Sequence, residues 1–378
     1  MKNDKKRVIE DTSLPSSIRS VVRMYPSNQV NRLYYGGLPH IGNALWGAWS
    51  SDEIQKAAEA YDNYSLSTHL LIDGSPVPEA SKVRLGGGSP AKFKPYAQCL
   101  VDIQKTVENR ILSDYPLAAG DDQAKLNVID YYRLHHAKEI NENNIIFTHS
   151  STQAFTFVME AILDYGDVVI MTAPNYGLFT FIPERIGGRV RLLSLSSDDG
   201  WKINPKKLKS LIGQINAELK VDYDRNRGKY IFRRSDVPPK VVAFVNYNPH
   251  NPTGVVYSQK DKPLLLEIAN ICRDAGVFII DDLAYCGLEY DRENVALPLN
   301  SLEGHFDNTI SLYTLSKAYG LAGIRSGMIV ANAIVSSFIR DRIFQSSDSL
   351  SILQSAAMSA VFKTDSKSMK AREDYFFY

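Results

Sequence analysis

One lysine and one arginine lie close together in the glycine-rich stretch TLSKAYGLAGIRSG, which spans residues 314–327. Lys317 follows hydroxyl residues, and an amine whose pKa is lowered by its surroundings can attack a carbonyl carbon and form a Schiff base. Arg325 offers a permanent charge and a forked set of donors, which suits a phosphate group. The alternative interpretation is a strand end that runs into a loop with ordinary solvated charges. Residues elsewhere in the chain are needed to decide between these two interpretations.

Two further motifs place polar side chains at the ends of apolar stretches. NYNPHNPTG contains Asn251 in a proline- and glycine-bounded turn, and such a rigid turn would hold the side-chain amide over the end of the preceding strand. FIIDDLAY ends an apolar run with Asp281 and Asp282, and Tyr285 follows. A buried carboxylate needs a partner, and a protonated ring nitrogen would be a suitable one.

Two weaker motifs precede these in the chain. HSSTQA places Ser151 and Thr152 at the start of a predicted helix, where backbone N–H and side-chain O–H groups face any bound anion. APNYG places Tyr176 just past a predicted strand, where its ring could stack on a flat ligand. Taken alone, an ordinary helix cap and a core or surface tyrosine would explain these residues as well.

Short apolar strands alternate with helices from about residue 115 onward, and this order predicts an α/β fold. We expect a mostly parallel central sheet with helices on both faces. Ligands in such sheets bind at the carboxyl ends of the strands, where the motifs above fall. The predicted strands span 144–148, 167–172, 189–195, 241–246, 277–281, 309–314 and 327–331; the predicted helices begin at Ser51 or span 95–112, 121–136, 151–164, 176–187, 204–219 and 259–276.

Composition and charge narrow the range of partners. The net charge of +1 gives no electrostatic reason to expect nucleic acid or an anionic membrane. Apolar runs such as VVAFV fall far below the ~18 residues of a membrane span, and the charged N-terminal stretch does not resemble a secretory signal. The cysteines show no paired spacing and are expected to be buried thiols. We therefore expect a cytoplasmic protein.

Residues 221–240 are polar, rich in both charge signs, and separate a predicted helix from a predicted strand. We interpret them as a surface insertion. Its basic residues are expected to be solvated loop charges, with a binding patch as the alternative: Arg225, Arg227, Lys229, Arg233 and Arg234.

The NPTG turn, the DLAY strand end and the SK…GIR element occur in an order that resembles the class I/II aminotransferases, fold type I of the pyridoxal phosphate enzymes. The resemblance covers roughly residues 83–362. It implies pyridoxal 5'-phosphate as cofactor and a large cofactor-binding α/β domain over 115–345. It further implies an N-terminal arm and small-domain segment over 1–114 and the start of a C-terminal small-domain segment over 346–378.

The same resemblance implies roles for the residues of these motifs. Lys317 would hold the cofactor as an internal aldimine and move the proton between the substrate Cα and the cofactor carbon. Asp282 would pair with the pyridine nitrogen and keep it protonated, so that the ring accepts carbanion electrons. Asn251 and Tyr285 would bond the ring 3′-oxygen, and Tyr176 would stack on the ring.

Further roles concern the phosphate, the substrate and the partner subunit. The implied phosphate cup consists of Ser151, Thr152, Thr314 and Arg325. Tyr115, in DYPLAAG, resembles a tyrosine that reaches a phosphate in the neighbouring subunit, which implies a homodimer with shared active sites. Gly88, in LGGGSP, resembles the glycine near the substrate carboxylate, where Asn251 would also contribute.

The sequence departs from the family pattern after Lys317. The family carries an arginine in its C-terminal small domain that holds the substrate α-carboxylate, and no arginine occurs here in that context. Arg372 comes too early and lies in a charged, helix-like stretch. Arg342 is expected to be a solvated helix charge. The preferred explanation is a truncated chain, with a different way of holding the carboxylate as the alternative.

The resemblance favours a transaminase that acts on an amino acid and a 2-oxo acid. Another pyridoxal phosphate reaction, by a lyase, β-decarboxylase, cyclase or oxidase, could use the same cofactor residues. A non-catalytic, cofactor-binding regulatory domain is the third hypothesis.

Overall fold

The computed structural model describes residues 94–109, 112, 115–291 and 293–377, all within the unit formed by residues 88–378. Gly88 and the helix predicted from Ser51 lie outside the described residues. The strands are β1 (Ile145–Thr148), β2 (Val168–Ala173), β3 (Arg189–Ser194), β4 (Val241–Tyr247), β5 (Phe278–Asp282), β6 (Thr309–Thr314) and β7 (Gly327–Val330). The α-helices are α1 (Ala97–Asn109), α2 (Asp122–His136), α3 (Ser151–Ile162), α4 (Leu178–Ile186), α5 (Pro205–Arg225), α6 (Lys262–Asp274), α7 (Ala333–Ser347), α8 (Ile352–Ala360) and α9 (Ser366–Phe377).

The strands form one seven-stranded sheet in the order β1-β7-β6-β5-β4-β2-β3. Strand β7 is antiparallel to both of its neighbours, and every other neighbouring pair is parallel. The carboxyl ends of the six remaining strands therefore meet at one edge of the sheet, together with the amino end of β7. This arrangement confirms the predicted mostly parallel sheet.

Hydrophobic side chains bury both faces of the sheet in two cores. In the first core, strand residues such as Val245 and Ile280 pack against α2, α3, α4, α7 and α8. In the second core, Phe244 and Ile279 pack against α5 and α6. Successive strand residues point to opposite faces, so the apolar runs that predicted these strands serve both cores. Helices on both faces are thus confirmed.

Residues 221–240 differ from the predicted surface insertion. Helix α5 continues to Arg225, so the first residues of the segment are helical. The Arg233 side chain is only 4% exposed and pairs with the equally buried Asp167 at 2.9 Å. It also donates to the carbonyls of Tyr165 and Val237. The expectation of a solvated charge is wrong for Arg233, because the guanidinium fixes the segment to the amino end of β2.

The other basic residues of the segment agree better with the prediction. Arg225, Arg227 and Lys229 are exposed. Arg234 is largely exposed but donates to the Leu163 carbonyl at 2.5 Å. The backbone at Arg234 and Ser235 is nevertheless held in place, since Asp164 accepts bonds from both amides.

Two of the three cysteine thiols agree with the sequence prediction. Cys99 and Cys272 are buried as predicted, whereas Cys286 is only partly covered. Burial raises the pKa of the Cys272 thiol to about 12, which keeps it protonated and unreactive.

Within the described part of the chain, no helix is both long enough and apolar enough to cross a bilayer.

Gly327 stands where β7 begins, against the chain that leaves β1. A Cβ at this position would lie 2.5 Å from the carbonyl carbon of Ser150 and 2.8 Å from its Cα. Because these are backbone atoms, Gly327→Ala should push Ser150 and the start of α3 away. We expect a loss of ~1–3 kcal/mol in the free energy of unfolding, measured by denaturant titration.

Gly213 provides the matched control for this substitution. It lies within α5, and a Cβ there would meet nothing within 4 Å. Gly213→Ala should stabilise the protein by ~0.5–1 kcal/mol through helix propensity. Equal effects of the two substitutions would contradict the close contact at Gly327.

Candidate active site

The amino end of α3 provides one wall of the site. Ser150 is the N-cap residue, and its hydroxyl accepts from the Gln153 amide at 3.3 Å. Ser151 and Thr152 therefore lie in the first helical turn, where backbone N–H groups lack intrahelical partners and favour an anion. Both residues are partly buried. Burial raises the pKa of Tyr176, which follows β2, and the nearby Thr152 side chain counteracts this shift.

A cavity of about 630 Å³ opens at this helix end. It brings together Thr152, Tyr176 and Arg325, three residues that the sequence motifs had singled out. The remaining lining residues come from α3, the start of α4 and the end of α7: Ser150, Gln153, Thr156, Phe157, Glu160, Leu178, Ser346 and Ser347.

Arg325 reaches this cavity from a strained loop. Its backbone is left-handed, with φ 59° and ψ 54°, a conformation that costs free energy for a residue with a side chain. Gln354 donates to the Arg325 carbonyl at 2.8 Å and supports that backbone. The guanidinium donates to the Ala322 carbonyl at 2.9 Å and lies 3.5 Å from the Ser316 hydroxyl. Arg325 is exposed, so most of its donors can reach a ligand.

Thr314 lies one step behind Arg325. Its buried hydroxyl bonds the Ser326 carbonyl and the Ser316 hydroxyl, each at 3.0 Å. The Ser316 hydroxyl in turn contacts Arg325. Thr314 therefore shapes the loop from within, and it contacts the arginine only through Ser316.

The two carboxylates at the end of β5 face opposite sides of the sheet. Asp281 lies on the face of the sheet that carries Phe244 and Ile279 of the second core. It accepts hydrogen bonds from the Asn246 side-chain amide and from the Leu299 backbone N–H, each at 2.8 Å. Burial raises its pKa to about 6. Both of its oxygens are thus engaged by fixed structural donors on the side of α5 and α6.

Asp282 lies on the other face, in line with Ile280 of the first core and on the side of α3. Its carboxylate accepts from the Ala284 backbone N–H at 3.2 Å. Burial, followed by the charge of Asp281, raises its pKa to about 7. The charge of Asp282 acts on Tyr176, Tyr247 and Tyr285, which places it among the aromatic residues of this edge.

Lys317 stands beside Tyr285 and close to Arg325. Its Nζ lies 6.0 Å from the centroid of the Tyr285 ring. Burial, followed by the positive charge of Arg325, lowers the pKa of Lys317. The amine therefore loses its proton more easily than a solvated lysine does, which increases its nucleophilic and basic fraction near neutral pH.

The turn that carries Asn251 is held by its neighbour His250. The His250 amide donates to the Val255 carbonyl at 2.8 Å. The buried His250 ring bonds Thr172 through Nε2 at 3.0 Å and Thr253 through Nδ1 at 2.9 Å. His250 thus has a structural role in holding the turn. Asn251 is partly buried four residues after β4.

The surroundings of Tyr115, Arg342 and Arg372 differ from those of the site residues described above. Tyr115 is 85% exposed before α2. Arg342 is exposed on α7, where it contacts Gln345, in keeping with a solvated helix charge. Arg372 on α9 donates to the carbonyls of Val361 and Lys363 and covers the Tyr131 ring, with 5.3 Å from the guanidinium carbon to the ring centroid. Arg372 is therefore engaged at the end of α8.

Three residues with a part in the site were missed at the level of sequence. Ser316 links Thr314 to Arg325, Gln354 fixes the Arg325 backbone, and Tyr247 lies beside Asp282 on the neighbouring strand. Ser316 and Tyr247 stand inside motifs that were quoted for other residues. Gln354 is far away in sequence and has no local signal. Among the described residues, no group of histidine, cysteine, aspartate and glutamate side chains could hold a metal ion.

Two proteins with related sequences are named as aminotransferases. The chain is 27% identical over 254 residues to the glutamate-pyruvate aminotransferase AlaA of Haemophilus influenzae, covering 66% of this chain and 54% of that protein. It is 25% identical over 253 residues to the LL-diaminopimelate aminotransferase of Nitratidesulfovibrio vulgaris, covering 66% of this chain and 57% of that protein. The chain thus spans little more than half the length of these relatives.

Solved structures show the same fold. The aromatic aminotransferase from Pyrococcus horikoshii superposes with a TM-score of 0.63 at 22% identity, over 77% of this chain and 69% of that one. The aspartate aminotransferase from Thermus thermophilus with maleate gives 0.62 at 19% identity, over 76% and 67%. The fold is therefore the aspartate aminotransferase-like fold type I.

The family model described as aminotransferase class I and II matches residues 81–376. This range includes the NPTG turn, the DLAY strand end and the SK…GIR element, and it covers most of the chain. Members of the family use pyridoxal phosphate, and the resemblance read from the motifs is confirmed. The chain belongs to the class I and II aminotransferase family.

Proposed function

We propose that this protein transfers an amino group between an amino acid and a 2-oxo acid with pyridoxal phosphate. The observation that carries the proposal is the juxtaposition at one sheet edge of a buried carboxyl group, a lysine with a lowered pKa and an exposed arginine: Asp282, Lys317 and Arg325. The named relatives support the same reaction class.

The residues at this edge fit the chemistry of the cofactor. The open amino end of α3 and the exposed Arg325 offer donors to a phosphate dianion. Asp282 still has acceptor capacity for a ring N–H, because among the described residues the Ala284 amide is the one backbone donor to its carboxylate. Tyr176, near Thr152, provides an aromatic face beside them.

Ser151, Thr152, Thr314 and Arg325 are proposed to form the phosphate cup, with Thr314 acting through the Ser316 hydroxyl. Asn251 and Tyr285 are proposed to bond the ring oxygen, and Asn251 also the substrate. Gly88 is proposed to lie near the substrate carboxylate. These assignments follow the family pattern at the positions where this sequence matches it.

Lys317 is the proposed base. Burial and the charge of Arg325 lower its pKa and so increase the neutral fraction of the amine, which would let Nζ take and hold the proton from the substrate Cα. When bound, pyridoxal phosphate supplies the electron sink for the pair left at Cα. The Asp282 carboxylate, which accepts from the Ala284 amide, would pair with the ring nitrogen.

We propose that the substrates are an amino acid and a 2-oxo acid, with no nucleic acid or membrane partner, and that the protein is a cytoplasmic homodimer. The 85% exposure of Tyr115 leaves its hydroxyl accessible to a neighbouring subunit, which supports shared active sites.

The amino-transfer half-reaction tests this proposal. Single amino acids are added to the cofactor-loaded protein without any oxo acid, and the cofactor is then recovered and identified. Stoichiometric conversion to pyridoxamine phosphate is expected for at least one amino acid. Release of carbon dioxide or of an unsaturated product instead would favour a decarboxylase or a lyase.

A further inference from the structure

We propose that the Tyr247 hydroxyl is a positioning group for Asp282, donating a hydrogen bond to its carboxylate when that group is ionised. Tyr247 is the last residue of β4, directly before the turn that carries Asn251. The inference rests on the proposed function only for what Asp282 does, and not for the placement of the two residues as neighbours in the sheet.

Strand pairing places the two residues side by side. Strands β4 and β5 are parallel neighbours, and Tyr247 is the direct partner of Asp282 in their register. Side chains of such partners point to the same face of the sheet, with their backbones about 4.8 Å apart. The preceding pair in the register, Asn246 and Asp281, points to the opposite face and forms a 2.8 Å hydrogen bond. The register thus pairs each carboxylate with one polar side chain of β4.

The Tyr247 hydroxyl is buried and free to donate. The residue is 1% exposed, and its hydroxyl has no hydrogen-bond partner in the part of the chain that the structure describes. A buried hydroxyl without a partner is costly, and such groups in native proteins call for an explanation. The charge of Asp282 acts on Tyr247, and burial together with that charge raises the tyrosine pKa well above its ordinary value. The hydroxyl therefore keeps its proton and can act only as a neutral donor or acceptor.

The ring of Tyr247 is held in place by its neighbours. Its centroid lies 5.5 Å from that of His250 and 6.2 Å from that of Phe179. His250 is fixed by Thr172 and Thr253, so the ring is clamped between an anchored turn and α4. A clamped donor loses little side-chain entropy when it bonds a carboxylate.

The other ionisable groups near Asp282 are acceptors or lie beside other side chains. Asp281 on the same strand is an acceptor whose charge raises the Asp282 pKa. Tyr176, after β2, lies near Thr152. Tyr285, after β5, lies beside Lys317. Tyr247, on the adjacent strand, is therefore the donor best placed to support the carboxylate from behind.

Tyr247→Phe tests the proposal by removing only the hydroxyl. Tyr257→Phe is the matched control, since Tyr257 is an equally buried tyrosine whose hydroxyl accepts from the Ile203 amide at 2.8 Å and packs in the second core. The pKa of Asp282 is measured by carbon-13 NMR on aspartate-labelled protein without cofactor, with Asp282→Asn identifying the resonance. The ring-nitrogen protonation of bound, nitrogen-15-labelled pyridoxal phosphate is then measured in the loaded protein.

The expected results separate the two tyrosines. Tyr247→Phe should raise the Asp282 pKa by about one unit, because an ionised carboxylate loses a donor. In the loaded protein its ring-nitrogen resonance should move toward the neutral-pyridine position, and cofactor affinity should fall about tenfold. Below about pH 6, where Asp282 is protonated, the melting temperature of Tyr247→Phe should be unchanged or higher; above about pH 8 it should be lower, because the ionised carboxylate has lost a donor. Tyr257→Phe should lower the melting temperature and leave both resonances unmoved.

Two results would overturn the proposal. An Asp282 pKa that is the same in Tyr247→Phe and in the wild type, with a native melting temperature, would show that the hydroxyl does not bond the carboxylate. Equal shifts in both variants would show a general loosening of the fold. If the wild type binds no pyridoxal phosphate but the carboxyl resonance still shifts, the proposed function fails while the contact between Tyr247 and Asp282 stands.

Discussion

Lys317→Ala is expected to abolish both turnover and covalent attachment of the cofactor. The substitution removes the one amine at this edge whose pKa is lowered by burial and by Arg325 among the described residues. Without Nζ, no group at that position can take the Cα proton, and general-base loss alone costs about 10²–10⁴-fold in rate. Covalent attachment is measured by borohydride trapping followed by intact-mass analysis.

Lys229→Ala is the control for this substitution, because Lys229 is an exposed lysine of the segment between α5 and β4. It should retain full attachment and full turnover. The phosphate cup does not depend on Lys317, so the Lys317→Ala variant should still bind the cofactor non-covalently. Full turnover by Lys317→Ala would remove the lysine from the mechanism.

Asp282→Asn should mainly reduce the reaction rate, whereas Asp281→Asn should mainly reduce stability. Asp282→Asn removes the carboxylate that faces α3 and should reduce the rate by ~100-fold or more while the fold is kept. Asp281→Asn should mainly reduce stability, by ~1–3 kcal/mol, since the new NH2 group would face one of two donors, the Asn246 amide or the Leu299 N–H, and leave it without an acceptor. Steady-state rates and denaturant unfolding of the two variants decide between the carboxylates.

The Asp282 pKa also predicts a pH dependence of stability for the protein without cofactor. Its folded pKa of about 7 lies above the ordinary value, so the folded state keeps a proton that the unfolded state loses. This contribution is fully present at low pH and is lost as pH rises from about 4 to about 7. The free energy of unfolding of the wild type, relative to Asp282→Asn, should therefore fall over that range.

This difference between two proteins is the useful quantity. The pKa values of His136 and His250 are lowered to about 4 by burial, so those groups reduce stability as pH falls and partly mask the effect of Asp282 in the absolute curve. A wild-type minus Asp282→Asn difference that is constant with pH would contradict the raised pKa of Asp282.

The strands and the edge that carries the site could be predicted from sequence, because buried parallel strands leave continuous apolar runs. The run TISLYT is the whole of β6, and FIIDD, which ends in both carboxylates, is the whole of β5. Period-two alternation within FIIDD also places Asp281 and Asp282 on opposite faces. The identity of the face that belongs to the site requires the helices, which come from distant parts of the chain.

Other features depend on long-range contacts and leave no local signal. Arg233 looks like a solvated charge until Asp167, on the far side of β3 and α5 in sequence, is found beside it. Thr314 looks like a direct phosphate ligand, yet its hydroxyl is engaged by Ser316 and Ser326. Tyr247 acquires its place beside Asp282 only through the register of β4 and β5.

The domain boundaries predicted from sequence stay predictions, because most of the residues in 1–114 lie outside the described part of the chain. The described residues do support a continuous α/β unit through β7, followed by α7, α8 and α9. Helix α8 packs against α1 and α2, so residues beyond 345 are joined to the same body through the first core.

The absorption spectrum of the cofactor-loaded protein tests amino transfer most directly, recorded before and after addition of single amino acids without any oxo acid. We predict that one or more amino acids abolish the visible band of the protein-bound cofactor, with one pyridoxamine phosphate formed per chain. Addition of a 2-oxo acid should then restore the band. A band that forms with pyridoxal phosphate but never changes with any amino acid would contradict transamination by this chain.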